Sequence, residues 1–457
     1  MNSRTHKLTN SRTQELKNLT ILLLTIVMGL FLIACTDEGA PTGVAVGTVQ
    51  ISVSGVGSTQ EGFDVVLRNV STSSIFTATT NEEGTATFTV APGIYEASVS
   101  GSYAREGVAY TFNGTSGQIT VRTDQTTAVV IDMKSIRRSQ VVIKELYCGG
   151  CLADDGTTKF QCDKYVILYN NSDQTATLNN LCIGFAAPYN AQAVNNNYTA
   201  DGKLSYETEG FLPVIDGLWY FPSALQIEPY MQVVVNIHGA IDNAQTISQS
   251  VSFANPDYYC MYDPESGYTN TRYYPTPSEL IPSSHYLKAV RWSQSNAWPL
   301  SVTSPALVLF QTHGVSPADH VADTANEWYD GGENKLSKKC VKLPNEWVVD
   351  AIEVYSSANK ESCVKRLTAD VDAGYVWLTN YQGHSLYRNV DQTATESIAE
   401  NEGKLVYNYA LGVDGSTDPS GIDVEASLQR GARIVYQDTN NSSNDFHERR
   451  QCSLREN

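Results

Sequence analysis

The chain has 457 residues, with 31 Lys+Arg against 49 Asp+Glu for a formal net charge of −18, and 41% of its residues are hydrophobic. So acidic a surface repels polyphosphate and anionic lipid headgroups, which excludes sequence-independent nucleic-acid binding and charge-driven membrane adsorption. The length is more than one small core fills and implies two or three domains.

Taken in chain order, the first segment is a targeting signal. Arg4, Lys7, Arg12 and Lys17 precede an apolar run from Leu19 to Leu32, interrupted only by Thr20, Thr25 and Gly29. The run ends in Leu32-Ile33-Ala34-Cys35, the pattern of a lipobox, so residues 1–34 are expected to be cleaved and Cys35 to carry a diacylglyceryl anchor. The mature chain would then hold 27 Lys+Arg and 48 Asp+Glu, a net charge of −21. Its only hold on lipid would be the acyl chains. Thr36-Asp37-Glu38 resembles the acidic export signal of Bacteroidetes-type lipoproteins, which implies a lipid-anchored location on the outer membrane, at the cell surface. Gly39 to Gly47 completes an acidic, flexible tether over residues 35–47.

Residues 48–135 read as a small β-sandwich. Val49 to Val53 and Phe63 to Leu67 alternate with period two, Asn81 to Gly84 makes a turn, and Ala86, Phe88 and Val90 share one face. Pro92-Gly93 turns the chain before Tyr95, Ala97 and Val99 point inward, and Ala128 to Met133 closes the unit. This arrangement resembles the carboxypeptidase-regulatory-like, prealbumin-type domain. The resemblance implies a spacer, stalk or adhesion module and no catalytic cluster.

Residues 139–457 read as a larger, loop-rich second β domain. Val141 to Tyr147 is a strand that runs into Cys148-Gly149-Gly150-Cys151, and Tyr165 to Asn170 is a second strand. Asn170 to Asp173 supplies side-chain oxygens to the following turn, before a third strand around Leu181 to Ile183. The order is similar to the lamin-tail-type immunoglobulin-like sandwich, so the fold class expected for the whole chain is all-β. Further segments are Leu225 to Pro229, Val233 to Asp242, Pro305 to Phe310, Leu343 to Val354, Lys365 to Leu367 with Asp372 to Tyr375, and Gln437 to Phe446. Together they resemble a Bacteroidetes lipoprotein family of unknown function (domain of unknown function four-eight-seven-six). The pattern departs at Glu228-Pro229-Tyr230, where the family tends to have Pro-Gly, so a different turn is expected there. The resemblance implies an accessory of a TonB-dependent outer-membrane receptor and supplies no catalytic residues.

Cys148, Cys151, Cys162, Cys182, Cys260, Cys340, Cys363 and Cys452 are an even set in an oxidising compartment, and disulfides are expected among them with the pairing left open. The first four could instead close a zinc tetrahedron, although their spacing is irregular. His313, His320 and Asp323 are weak metal candidates set against a polar loop leading into a short helix, and no cofactor or structural metal is expected. Asp438, Asn440, Ser442 and Asn444 alternate like calcium ligands, but Ser443 and Arg449 stand where an EF-hand needs Gly and Glu, so they are read as turn formers.

Of the 26 tyrosines, Tyr258, Tyr259, Tyr262, Tyr268, Tyr273 and Tyr274 crowd one segment near Trp292 and Trp298. These eight residues are the candidate ligand-binding set, since aromatic faces with polar tips stack on sugars, haem or catecholates; core packing is the competing reading. No nucleophile elbow or phosphate-cradling loop occurs. The expected function is therefore not enzymatic. It is capture of a small nutrient, such as an iron chelate or haem, for a TonB-dependent receptor. Cell-surface adhesion and a hydrolase with paired carboxylates across a cleft are the alternatives.

Overall fold

The computed structural model describes residues 45–455, apart from 56–59, 73 and 106–107. Cys35 and the expected signal and tether up to residue 44 lie outside the described residues. Among those described, no helix is long and apolar enough to cross a membrane.

Two sheets form the first part. Gly47–Ser54 lies between Thr85–Val90 and Thr126–Asp132 in a three-stranded sheet, antiparallel to the first and parallel to the second. A second sheet runs Ile75–Thr79, Asp64–Asn69, Gly93–Arg105, Val108–Thr115, Lys134–Ser139. Alternation puts Val49, Ile51, Val65, Leu67, Ala86, Phe88, Tyr95 and Val99 into one core. The Asn81 turn closes through Gly84 N–H to the Asn81 carbonyl at 2.8 Å, and Thr85 N–H donates to Asn81 Oδ1 at 2.8 Å.

In the second part, twelve strands follow one hydrogen-bonded path. It starts at Val376–Leu378 and passes through Val348–Ser356, Ala306–Gln311, Leu181–Phe185, Gly217–Tyr220, Tyr286–Arg291 and Tyr259–Met261. It returns through Gln232–Asn236, Tyr165–Asn170, Val141–Tyr147 and Ser385–Arg388 to Phe446–Arg449. The path rolls up: its two end strands, Val376–Leu378 and Phe446–Arg449, pack against each other, and Val141–Tyr147 packs against Val348–Ser356. The facing halves enclose a core that includes Val141, Ile143, Leu168, Phe185, Trp219, Leu309, Ile352 and Trp298.

All seven residues of Val141–Tyr147 are buried, because smaller clusters cover the outer face as well. A β-bulge between Ile143 and Glu145 switches which residues face inward. Val141 and Ile143 point into the main core before it, and Leu146 and Cys148 after it. Lys144, at the bulge, extends among the rings of Tyr169, Tyr387 and Tyr436 at 5.5–5.9 Å and donates to Gln232 Oε1 at 2.7 Å. Burial pulls its amine down to about 8.

The eight cysteines do not pair: each carries a free thiol. Expecting disulfides from an even count overlooked that five of these sulfurs fill apolar gaps in four separate clusters. Cys148 and Cys340 belong to the main core, Cys182 to a second cluster, Cys452 and Cys260 to two others. Burial pushes the thiols of Cys148, Cys151 and Cys260 up to about 12.

At the departure from the family pattern, Met231 N–H closes the turn onto the Glu228 carbonyl at 3.0 Å. Tyr230 itself takes φ +58°, the left-handed conformation a glycine favours. The turn thus has a glycine-compatible shape with a tyrosine in it. Gly239 is less replaceable. Its φ is +70°, and an added Cβ would lie 1.9 Å from the Cys162 carbonyl oxygen. Gly239→Ala is expected to destabilise the protein by at least about 2 kcal/mol, from left-handed strain plus a backbone clash. A thermal melt of the variant that overlays the parent's would refute this.

Candidate functional site

A cavity of about 710 Å³ opens where the two ends of the rolled sheet meet. In Val376–Leu378 the outer two residues are buried and Trp377 between them turns outward, as period-two alternation requires. Tyr355 and Tyr375 stack on each other at 4.1 Å and both meet the Trp377 ring edge-on, at 5.4 and 5.3 Å. This holds the indole in place. Lys360, from the short helical stretch Ser357–Ser362, sets its ammonium 5.3 Å from the Trp377 ring centre.

The floor of the cleft is a His–Glu pair. Glu448, 4% exposed, accepts from Thr379 N–H at 2.7 Å and from His384 Nδ1 at 2.7 Å, and its other oxygen accepts from the Thr379 hydroxyl at 3.3 Å. A neutral imidazole whose Nδ1–H donates a hydrogen bond to the carboxylate keeps Nε2 as an acceptor. Glu448 N–H donates to Ser416 Oγ at 2.8 Å, which ties the loop carrying Val413 to Ser416 to the last strand. Arg450 and Asp414 line the same cleft, exposed, and neither side chain makes a hydrogen bond or ion pair among the described residues. One flat aromatic face is thus ringed by cationic donors, a carboxylate and hydroxyls.

The expected tyrosine-rich surface is not there as one surface. Tyr268, Tyr274 and Trp298 are buried in the main core, with Tyr268 stacked on Trp219 at 5.4 Å. Trp298 Nε1 donates to the Gly217 carbonyl at 3.1 Å, and Tyr274 Oη accepts Trp298 N–H at 3.1 Å. Tyr259 and Tyr262 stay partly exposed but pair locally, with His285 and Tyr286. Tyr273 packs on His238 at 4.8 Å, Tyr258 borders another cluster, and Trp292 donates to the Lys339 carbonyl at 3.1 Å. Burying rings in an irregular insert supplies the apolar contacts that its short strands cannot.

The metal candidates are spent on the protein itself. His320 Nε2–H donates to the Lys342 carbonyl at 2.9 Å and its Nδ1 accepts from Asn326 at 3.1 Å. Asp323 accepts Ala325 N–H at 3.0 Å as a helix cap, and His313 packs toward Trp347 at 6.2 Å. Among the described residues no group of three His, Cys, Asp or Glu side chains is placed to hold a metal ion. In the acidic segment before the last strand, Asn441 caps the turn Ser442–Asp445. Asp445 takes Thr439 N–H at 2.9 Å and Thr439 Oγ1 at 2.7 Å. Arg388 stands where a cation would sit, 3.7 Å from both Asp438 and Asp445 and in contact with Asp350.

Sequence reading missed His384, Glu448, Trp377, Lys360 and Arg450. His384 and Glu448 are 64 positions apart, so only pairing of Ser385–Arg388 with Phe446–Arg449 unites them. Trp377 did carry a local signal, a tryptophan flanked by Val and Leu on an alternating strand.

Residues 228–408 match the family described as Protein of unknown function (DUF4876). The chain is similar in fold to the crystal structure of a DUF4876 family protein from Bacteroides thetaiotaomicron VPI-5482. Identity is 19% and the TM-score 0.50, covering 87% of this chain and 94% of that one. The TIE protein of Bacillus anthracis matches at 14% identity and a TM-score of 0.17, over 42% of this chain and 45% of that one. A candidate adhesin from Bacteroides ovatus ATCC 8483 matches at 8% identity and 0.21, over 76% and 98%. These last two likenesses are too slight to bear on this chain. No curated protein matches it.

Proposed function

We propose, for a chain that carries a DUF4876 region over residues 228–408, that it is a cell-surface lipoprotein which captures a hydroxyl-rich nutrient and passes it to a TonB-dependent receptor. Cys35 would hold it to the outer membrane, and the first β part would lift the cleft from the lipid. The observation that carries this reading is the Trp377 face, braced by Tyr355 and Tyr375 and bordered by Lys360, Arg450, Asp414 and His384. Sugars and catecholate-type iron chelates share the chemistry it suits: a flat apolar face for stacking, and vicinal hydroxyls for charged and neutral partners. The reading is of a binding protein, not an enzyme.

Tryptophan fluorescence of the mature protein, titrated with neutral sugars, catecholate chelates and haem, tests it. One of these is expected to bind saturably, and Trp377→Ala to weaken that binding about 30-fold, the ~2 kcal/mol of a truncated aromatic anchor. Saturable binding that ignores Trp377→Ala would move the site elsewhere.

Adhesion is the second reading, supported by the edge strand Ile75–Thr79, where Ile75 is 63% exposed and Phe76 36%. An exposed apolar edge invites strand pairing with another chain.

A further inference from the structure

The cleft is one end of something longer. A second cavity of about 360 Å³ shares Gly415 and Ser416 with it, and a third of about 310 Å³ shares Pro419 and Gln437 with the second. The three abut in sequence along the loop from Val413 to Ser420. Each is of the size that takes a small ligand on its own.

The far wall is rigid in its backbone and unspent in its side chains. Gln437 N–H donates to the Asn389 carbonyl at 2.8 Å, and its own carbonyl accepts Arg388 Nη1 at 2.9 Å. Asn444 is held likewise, its carbonyl accepting Asn389 Nδ2 at 2.6 Å. Yet the carboxamide groups of Gln437 and Asn444 have no partner among the described residues. A carboxamide offers a donor and an acceptor side by side, which matches a pair of adjacent hydroxyls.

Charge and topology narrow the occupant. Acids on the far wall are used internally: Asp391 caps the helix Gln392–Ser397 through Ala394 N–H at 2.9 Å, and Asp438 faces Arg388. Among the described residues lining that wall none is Lys or Arg, so it offers no basic row for a polyanion. An extended peptide would need free backbone on the sheet edge Phe446–Arg449. That edge is occupied, since Val413 N–H donates to the Glu448 carbonyl at 3.3 Å, Arg450 N–H to the Leu411 carbonyl at 2.9 Å, and Glu448 N–H to Ser416.

The geometry points to a neutral oligosaccharide of at least three units as the ligand, one sugar on Trp377 and the next two along Gln437 and Asn444. This rests on the binding function proposed above and names its ligand class.

Isothermal titration of the full mature chain with neutral gluco- and manno-oligosaccharides of one to six units tests it. Affinity is expected to climb with length to three units and then level off. Gln437→Ala and Asn444→Ala, both surface changes, are expected to weaken binding of the trisaccharide and longer by about 3–10-fold, the worth of one hydrogen bond, and to leave the shortest ligand untouched. Trp377→Ala should weaken all lengths. Binding that depends on Trp377 but is flat with length overturns the oligosaccharide and spares the nutrient cleft. Catecholate binding with no sugar bound does the same. Binding of an extended peptide at Gln437 and Asn444 overturns it as well, and no binding of any probe overturns both proposals.

Discussion

Arg366→Met is expected to lower the unfolding free energy by about 3–5 kcal/mol, the usual loss when one partner of a buried ion pair is removed. Arg366 and Glu353 are both fully buried, at 0% exposure. Glu353 Oε1 accepts from Arg366 Nε at 2.8 Å and Nη2 at 2.6 Å, while Oε2 accepts the backbone N–H of Arg366 at 3.0 Å and of Leu367 at 2.9 Å. The remaining guanidinium nitrogen donates to the Pro188 carbonyl at 3.1 Å. This one pair therefore pins the segment after Cys363 to the centre of strand Val348–Ser356. Methionine would fill part of the volume and strand the carboxylate. Lys365, whose ammonium is 4.0 Å from Oε2 and partly exposed, is too distant to replace the fork. Urea unfolding would read the loss. Adding Glu353→Gln to the variant should restore a good part of it, because the orphaned charge is then gone. A deficit below about 1 kcal/mol in the single variant would mean that the pair behaves as a solvated surface bridge.

Arg388→Met is expected to cost a similar amount, about 3–5 kcal/mol at pH 8, and here the loss depends on pH. The guanidinium contacts Asp350 and lies 3.7 Å from Asp438 and Asp445. Nε donates to the Ile143 carbonyl at 2.7 Å and Nη1 to the Gln437 carbonyl at 2.9 Å, so it joins two strands of the sheet to the wall of the groove. Burial raises the Asp350 carboxyl above the usual carboxylate range and Arg388 holds it down. Without the arginine it rises further. A carboxyl whose folded pKa exceeds its unfolded one adds stability below the unfolded value and loses it as pH climbs through the folded value. At pH 5 Asp350 is mostly protonated with or without Arg388, so the variant's deficit should be smaller there than at pH 8. Urea midpoints measured at both pH values decide this; an equal or larger deficit at pH 5 would contradict it. The groove should suffer too, with oligosaccharide binding weakened even where the variant remains folded.

Arg366 sits in a segment assigned by family resemblance alone, while Arg388, on Ser385–Arg388, lies in no segment that sequence reading singles out. Lys365 to Leu367 carried no alternation and no motif with a mechanism. Gln437 to Phe446, with oxygens at every second position, reads as turn-forming, and Asn441 does cap the turn Ser442–Asp445. Of those oxygens only Asp438 faces a cation, Arg388, which the neighbouring Asp445 shares, and Ser442 bonds to Asp372 at 2.5 Å.

The sequence by itself determined the strands. In Thr85–Val90 and Val376–Leu378 the period of side chains is the period of the pleat, so which residue points inward follows from the order of residues alone. It also determined the acidic character, and the turns at Asn81 and Asn170, where a side-chain oxygen meets a backbone N–H within a few positions. Only the tertiary structure decided the fate of the cysteines, the tyrosines and the site. Sulfur and phenol rings suit a core and a surface equally well, and outside regular strands no period says which way they turn. His384 and Glu448 meet through the pairing of Ser385–Arg388 with Phe446–Arg449, and Trp377 joins them only because a twelve-strand path curls until its ends touch. That closure depends on contacts between residues far apart in the chain, which no local pattern contains.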